Sequence, residues 1–533
     1  MILARPLRTI ALISVLGISL LAPAGAQAVD PARDAAPAAT HDVAPFAAPA
    51  GDPWVVSLGD SYISGEAGRW AGNESGGTSN IDALGQAASW DAGSGESIAR
   101  CHRSQSAAIH IGVAHSLNLA CSGAVTRTKT TADGYFKPGV DFYDEGGRKG
   151  QALMLQEFAA EHNVKMVAMS ISGNDFKFAP IFEACVKAFL VPVLKPHCKD
   201  DATVQGYLSE SAQQVVRGDT TTAILNVAKA MANAGYEDSE WTLVLQLYPQ
   251  PLPASENMRY GSFGYSRQYV GGCGLRDGDL DWALGSVLPM INRTYRGAAS
   301  DAQVQRPTLQ IAVLDTSRAF SDRELCSKSV NRVGSKGGVN NWQVQGSADR
   351  SEWVMEVNII NARDTYQQES LHPNYWGQLA LRNCYRQVWN GGDVQGGACE
   401  RAAGGGVTAD CEPRMALVAP GRSGVRAMSP QDRDGVRVNL RCPGIALAAG
   451  SSAVLKGRIT PADSDVKVSY QVRWEGTSWR DRAAMKPTAM GSFRFVVPIS
   501  EAAPVGRTYQ WRVVATAGAE VVGVSQTRTS LVR

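Results

Sequence analysis

Four short and almost uniformly apolar runs constrain this chain more than any other feature: residues 54–58, 164–171, 241–247 and 309–314. A strand with one wet face alternates apolar and polar residues, whereas a strand buried on both faces reads as a continuous apolar run. Helix-period stretches such as residues 151–161 and 220–234 lie between these runs. Buried strands alternating with helices predict a parallel sheet with helices on both faces, an α/β fold. A Gly- and Ala-rich stretch at residues 401–406 ends that pattern, and the period changes. Val466, Val468, Tyr470, Val472 and Trp474 alternate with polar residues, as do Phe493, Phe495 and Val497, and then Tyr509, Trp511 and Val513. A period of two between Gly, Pro and Asp turns predicts a small antiparallel β-sandwich. Single cores stop growing at roughly 250–300 residues, so a chain of this length is expected to hold two folded domains. They are placed at residues 51–403 (α/β) and 411–533 (all-β).

The start of the chain reads as an export signal. Arg5 and Arg8 precede an apolar run over residues 10–21, and Ala26-Gln27-Ala28 has the small-x-small pattern cut by signal peptidase, so cleavage is expected after Ala28. The run is shorter than the roughly 20 apolar residues a spanning helix needs. Residues 29–50 are Ala- and Pro-rich with few large apolar side chains, which predicts a flexible leader. A secreted, soluble and monomeric protein is expected. Its formal net charge of +2 offers no field for polyanions, so nucleic acid is not an expected partner. The 10 cysteines form an even set, which in an exported protein points to disulfides. Their positions suggest sequential pairing: Cys101 with Cys121, Cys185 with Cys198, Cys273 with Cys326, Cys384 with Cys399, and Cys411 with Cys442. Short Cys-x-x-Cys spacing is absent, so no zinc site or other metal centre is expected.

Gly59-Asp60-Ser61-Tyr62 follows the first apolar run directly. In an open α/β sheet ligands bind beyond the carboxyl ends of the strands, where a serine in such a turn is presented. The same tripeptide also suits a turn ending in a helix N-cap serine, and taken alone it leaves both readings open. A serine hydroxyl near neutral pH needs an adjacent base, usually histidine. The chain has seven histidines: His41 in the leader, His102 beside Cys101, His110 and His115 on an expected helix, His162 at a helix end, His197 in a disulfide loop, and His372. His372 stands apart because it lies in Glu369-Ser370-Leu371-His372-Pro373-Asn374, after the last α/β strand, just before a helix-like run over residues 376–389, and with a carboxylate three residues upstream.

Gly59-Asp60-Ser61, then Gly123 in Cys121-Ser122-Gly123-Ala124, then Gly173-Asn174-Asp175, then Glu369-x-x-His372, resemble in order the four blocks of the SGNH/GDSL hydrolase superfamily. The resemblance covers about residues 51–390, and the cysteine pattern with Cys101-His102-Arg103-Ser104 is similar to that of secreted actinobacterial lipases and esterases. It implies a flavodoxin-like three-layer domain, with Ser61 as nucleophile and His372 as general base. The backbone N–H groups of Ser61 and Gly123 and the Asn174 amide would form the oxyanion hole. The family usually has Asp three residues before the histidine. Here Glu369 stands in that place, either orienting the imidazole or leaving it to a backbone carbonyl, as in a Ser-His dyad. Asp364 is a poorer substitute because it lies outside the motif. Asp60 and Asp175 are expected as structural acceptors, and residues 71–96 either border the substrate cleft or form an irregular surface loop.

The function so implied is carboxylic-ester hydrolysis through an acyl-enzyme, on lipid acyl esters, without cofactor. A cell-wall polysaccharide O-acyl esterase or an acyltransferase would use the same site, with the C-terminal sandwich contacting carbohydrate or envelope. A non-enzymatic envelope-binding protein is the third reading.

Overall fold

The computed structural model describes residues 48–75, 80–191, 196–357, 368–418, 437–440 and, with breaks, 452–531. The chain divides between Pro45 and Phe46 into two units, and the described residues belong to the second. His41, Asp364 and the signal and leader readings up to residue 47 lie outside the described residues.

Seven strands form the main sheet: β1 (Trp54–Gly59), β2 (His115–Asn118), β3 (Val164–Ser170), β4 (Thr242–Gln246), β5 (Ile311–Asp315), β6 (Gly397–Arg401) and β7 (Met415–Val418). Their spatial order is β2-β1-β3-β4-β5-β6-β7. All neighbours are parallel except the last pair, in which β7 runs antiparallel to β6. The first five strands have the doubly wound order 2-1-3-4-5, which reverses direction at β1 and opens a crevice beyond the carboxyl ends of β1 and β3. The four apolar runs are β1, β3, β4 and β5, in the middle of this sheet. Along each strand successive side chains point to opposite faces. Val55, Met166, Ala168 and Val244 enter one core, together with α3 (Phe178–Leu190) and α6 (Tyr375–Trp389). Val56, Leu58, Val167, Met169, Leu243 and Leu245 enter the other, against α2 (Gln151–Ala159), α4 (Glu210–Asn233) and α5 (Leu288–Gln305).

Three expectations are corrected. His110 and His115 do not lie on a helix: His110 is in irregular chain and His115 opens strand β2; among the described residues β2 is an edge strand paired with β1, and its residues, exposed or half-buried except Asn118, carry no apolar run. The helix expected at residues 220–234 starts at Glu210, because the Ser209 side chain caps it by accepting from Ala212 N. The α/β part does not stop at residue 403: β7 pairs with β6 and extends it to Val418, so the all-β part begins after β7 and not at residue 411.

The C-terminal strands form two antiparallel sheets. One holds β8 (Arg437–Leu440), β9 (Ser452–Thr460) and β12 (Ser492–Pro498). The other holds β10 (Val466–Trp474), β11 (Arg480–Met485), β13 (Thr508–Ala517), β14 (Glu520–Val524) and β15 (Arg528–Leu531). The alternating residues noted in the sequence, Val466, Val468, Tyr470, Val472, Phe493, Phe495, Val497, Trp511 and Val513, share one buried cluster.

Four of the expected disulfides are present: Cys101–Cys121, Cys185–Cys198, Cys273–Cys326 and Cys384–Cys399. Cys411 is also disulfide-bonded, and its expected partner Cys442 lies outside the described residues. Four or more bridges fit an oxidising compartment. Among the described residues no helix is long and apolar enough to cross a membrane.

Candidate active site

The site assembles at the carboxyl ends of three adjacent strands. β1 leaves the sheet through Gly59, whose φ of 129° suits glycine, and a Cβ there would stand 1.9 Å from the Ser170 carbonyl oxygen. That close approach lets Asp60 N bond Ser170 O at 2.8 Å. Gln151, at the start of α2, closes the remaining backbone valences of Gly59: its Oε1 accepts from Gly59 N at 2.6 Å and its Nε2 donates to Gly59 O at 2.9 Å. The chain then turns at once into α1 (Ser61–Ser64), with Asp60 as N-cap accepting from Tyr62 N at 3.1 Å. Ser61 is thereby held at the first position of a helix over the crevice.

His372 arrives from the far end of the chain. Asn374 caps α6 by accepting from Trp376 N and Gly377 N, while its Nδ2 donates to Gly72 O and Glu352 O, so all its polar valences are filled. The His372 carbonyl accepts from Met355 N at 3.0 Å. Leu371 just before it is held at φ 60°, uncommon for a branched residue, and its carbonyl accepts the Tyr62 hydroxyl at 2.9 Å. These contacts bring His372 Nε2 to 2.6 Å from Ser61 Oγ. Burial lowers the His372 pKa from its ordinary value, so the ring is neutral and able to accept a proton at neutral pH.

Glu369 does not orient the imidazole. Both its oxygens accept from Trp70 Nε1, at 3.0 and 3.1 Å, and burial pushes its pKa up to about 8. His372 Nδ1 is buried without a closed hydrogen bond, while the carbonyls of Ser370 and Glu369 draw the ring's pKa upward. Of the two alternatives for orienting the ring, Glu369 or a backbone carbonyl, the Glu369 carboxylate is engaged by Trp70.

Gly123 and Asn174 lie on the turns after β2 and β3, the two strands flanking β1. Gly123 has φ 76°, a conformation that favours glycine. Asn174 Nδ2 donates to Ala124 O at 2.9 Å, which ties the two turns together and leaves the second amide hydrogen free of that bond. Ser172, two residues before it, is also strained at φ 93°. Asp60 and Asp175 are structural acceptors: Asp60 receives the Tyr248 hydroxyl at 2.5 Å, and Asp175 receives Thr126 N and Oγ1. His110 and His162 hydrogen-bond Ser116 Oγ and Phe158 O, and His197 Nδ1 lies 3.1 Å from Asp279 Oδ2. In the segment 71–96, Ala71 and Ile81 are buried while Trp90 is 43% exposed. Among the described residues no cluster of His, Cys, Asp or Glu could hold a metal ion.

Sequence reasoning missed four contributors. Tyr62 braces Leu371, Asn374 fixes the loop, and Tyr248 joins Asp60 to Gly173 N, which bonds its hydroxyl at 2.8 Å. The fourth is Glu66, 2.6 Å from His102 Nδ1. Only Asn374 left a signal, an Asn directly before a helical run.

No family model matches the chain, and no curated protein matches it. Among solved structures, a family 76 glycoside hydrolase from a bovine Bacteroides thetaiotaomicron strain is 14% identical over 18% of this chain and 20% of its own, with a TM-score of 0.14. A chain from a structure of T cell activation by the bacterial superantigen toxic shock syndrome toxin-1 is 11% identical over 19% of this chain and 100% of its own, at 0.16. A marsupial T cell receptor chain is 17% identical over 19% of this chain and 52% of its own, at 0.15. At such scores these likenesses bear on neither fold nor function.

Proposed function

We propose that this chain is a secreted serine ester hydrolase of the SGNH/GDSL type, with a flavodoxin-like catalytic domain, acting on lipid acyl esters through a Ser61–His372 dyad. The observation that carries this reading is the 2.6 Å contact between His372 Nε2 and Ser61 Oγ, made by residues 311 positions apart in the chain. A serine hydroxyl bonded to a buried neutral imidazole at the carboxyl end of a doubly wound sheet is an activated nucleophile.

In the proposed reaction Ser61 Oγ attacks the ester carbonyl and its proton passes to His372 Nε2. The charge that develops on the carbonyl oxygen is met by the N–H groups of Ser61 and Gly123 and the Asn174 amide. Donors fixed before reaction contribute about 3–4 kcal/mol each to such a transition state. The tetrahedral species collapses, the C–O bond to the alcohol breaks, and the proton returns from Nε2 to the departing oxygen. Water, deprotonated by the same imidazole, then attacks the acyl-serine; the bond from the acyl carbon to Ser61 Oγ breaks, Nε2 returns the proton to that oxygen, and the acid is released. The ring acts throughout as acceptor and donor, held by backbone.

Ser61→Ala and His372→Ala are each expected to lower turnover of a short p-nitrophenyl ester by at least about 10³-fold while leaving the thermal melt unchanged. Unchanged turnover in either folded variant would overturn the assignment. The chain-length preference of the purified enzyme separates lipid esters from sugar acetates.

A further inference from the structure

We propose that Lys137 places a fixed positive charge behind Gly123 and so stabilises the oxyanion that forms when Ser61 attacks an ester. The proposal rests on the hydrolase reading above and deepens it by naming a charged side chain beside the backbone donors.

Lys137 ends a two-residue strand, Phe136–Lys137, that pairs with Lys129–Thr130. The next residue fastens this strand to the Ser61 turn: Gln151 Nε2 donates to Pro138 O at 2.7 Å and to Gly59 O at 2.9 Å. From there the Lys137 side chain runs along Gly123. A Cβ built on Gly123 would have three atoms of Lys137 as its nearest neighbours, with Cε at 3.6 Å and Nζ at 3.9 Å. Standard bond lengths put N and Cβ of one residue about 2.5 Å apart, so Nζ lies within about 6.5 Å of Gly123 N. Lys137 touches the glycine and not the substrate, and it acts on the reacting oxygen through its field.

The ammonium is buried, at 3% exposure, and among the described residues it has one hydrogen bond, to Arg100 O at 2.6 Å, and no ion pair. The acceptor comes from a strained residue, since Arg100 has φ 61°. The carboxylates nearby are engaged elsewhere. Glu66 holds His102 Nδ1 at 2.6 Å, Glu96 accepts from the N–H groups of Arg100 and His102, and Asp133 faces Arg100 Nη1 at 3.6 Å. Burying an ammonium against one neutral acceptor costs free energy, which an anion formed beside it recovers. A neutral ester brings no such anion, whereas the tetrahedral species does, so the charge is felt in the transition state more than in substrate binding. Burial brings the Lys137 pKa down to about 8, against Glu66, Glu96 and Asp133, which raise it; Arg100 lowers it further. His102, raised to about 9 by Glu66 against its own burial, faces the same cluster. Lys137 is thus charged at neutral pH and loses its charge in mild alkali.

The test is kcat for a soluble ester across the neutral and alkaline range, in the parent, Lys137→Met and Lys137→Arg. The parent kcat is expected to fall above about pH 8 as Lys137 releases its proton. Lys137→Met keeps the stem and removes the charge, and should lower kcat at neutral pH about tenfold or more with KM nearly constant. Lys137→Arg should hold kcat near the parent value and abolish the alkaline fall, because a guanidinium stays charged there. His102 and Glu369 titrate in the same range, so this variant assigns the limb to Lys137. A folded Lys137→Met enzyme with the parent kcat overturns the proposal, and so does a Lys137→Arg enzyme whose alkaline limb stays in place, since a merely structural lysine would leave that limb where it was. Should neither variant fold, Lys137 Nζ is titrated by NMR in the parent carrying isotope-labelled lysine, free and with a boronic acid on Ser61, whose adduct is a tetrahedral anion. The Lys137 pKa must rise in the adduct, and an unchanged value overturns the proposal. Failure of the hydrolase reading is distinguishable, because the parent enzyme would then be inactive or indifferent to Ser61→Ala.

Discussion

At the scale of single residues the proposed Ser61–His372 dyad depends on where each polar atom finds its partner. Glu369 occupies the motif position of an orienting acid, yet its two oxygens serve the Trp70 indole. Glu369→Gln should therefore retain kcat/KM within about threefold, because an amide oxygen can still accept from the indole. An orienting carboxylate of a true triad costs about 10⁴-fold when replaced by its amide. A loss of that size on steady-state assay would restore Glu369 to the triad. Ser61, His372, Gly123 and Asn174 were legible as spaced residue types. Tyr62, Glu66 and Tyr248 were not, because a hydrogen bond across 36, 188 or 309 positions leaves no trace in local pattern.

At the scale of elements, the site is a set of turns joined by few bonds. Tyr248, just beyond β4, donates to Asp60 after β1 and accepts from Gly173 after β3, so one hydroxyl sets the distance between the Ser61 turn and the Asn174 turn. Tyr248→Phe leaves a buried carboxyl oxygen and a buried N–H without that partner, a loss of about 1–3 kcal/mol. The expected result is a lower denaturant midpoint and a kcat reduced about tenfold with KM little changed. Equal stability and equal kcat would show that the turns are held by other means. The strands themselves were readable where both faces are buried, as in β1 and β3. Edge strand β2 was not, since an element that packs on one side needs no apolar run. Strand β7 was also missed, because a terminal strand is recruited to the sheet by an existing edge and not by its own pattern.

At the scale of the whole molecule, buried titratable groups set how stability varies with pH. Burial raises Asp60 to about 7, Glu324 and Glu356 to about 7, and Glu369 to about 8. Each holds its proton in the fold over a range where the unfolded chain releases it. The stability so contributed is complete below the ordinary carboxyl range and is lost as pH rises through those folded values. His102, raised to about 9, adds a loss that begins above its ordinary value of 6.5. His110, lowered by burial to about 4, acts in the opposite sense between pH 4 and 6.5, and His372, also lowered by burial, acts in that sense below 6.5, but they are fewer than the acids. The melting temperature is therefore expected to fall between about pH 5 and 8, as followed by calorimetry at a series of pH values. A rise across that window would contradict the buried-acid account.

The sequence alone determined which segments must be buried, and hence an α/β sheet followed by alternating strands, because apolar period is a local consequence of burial. It also determined the candidate nucleophile and base, since their chemistry is carried by residue type. Only the tertiary structure decided which carboxylate faces which ring. That choice depends on a methylene's length and on the approach of distant loops, and a buried charge settles wherever folding leaves it a partner.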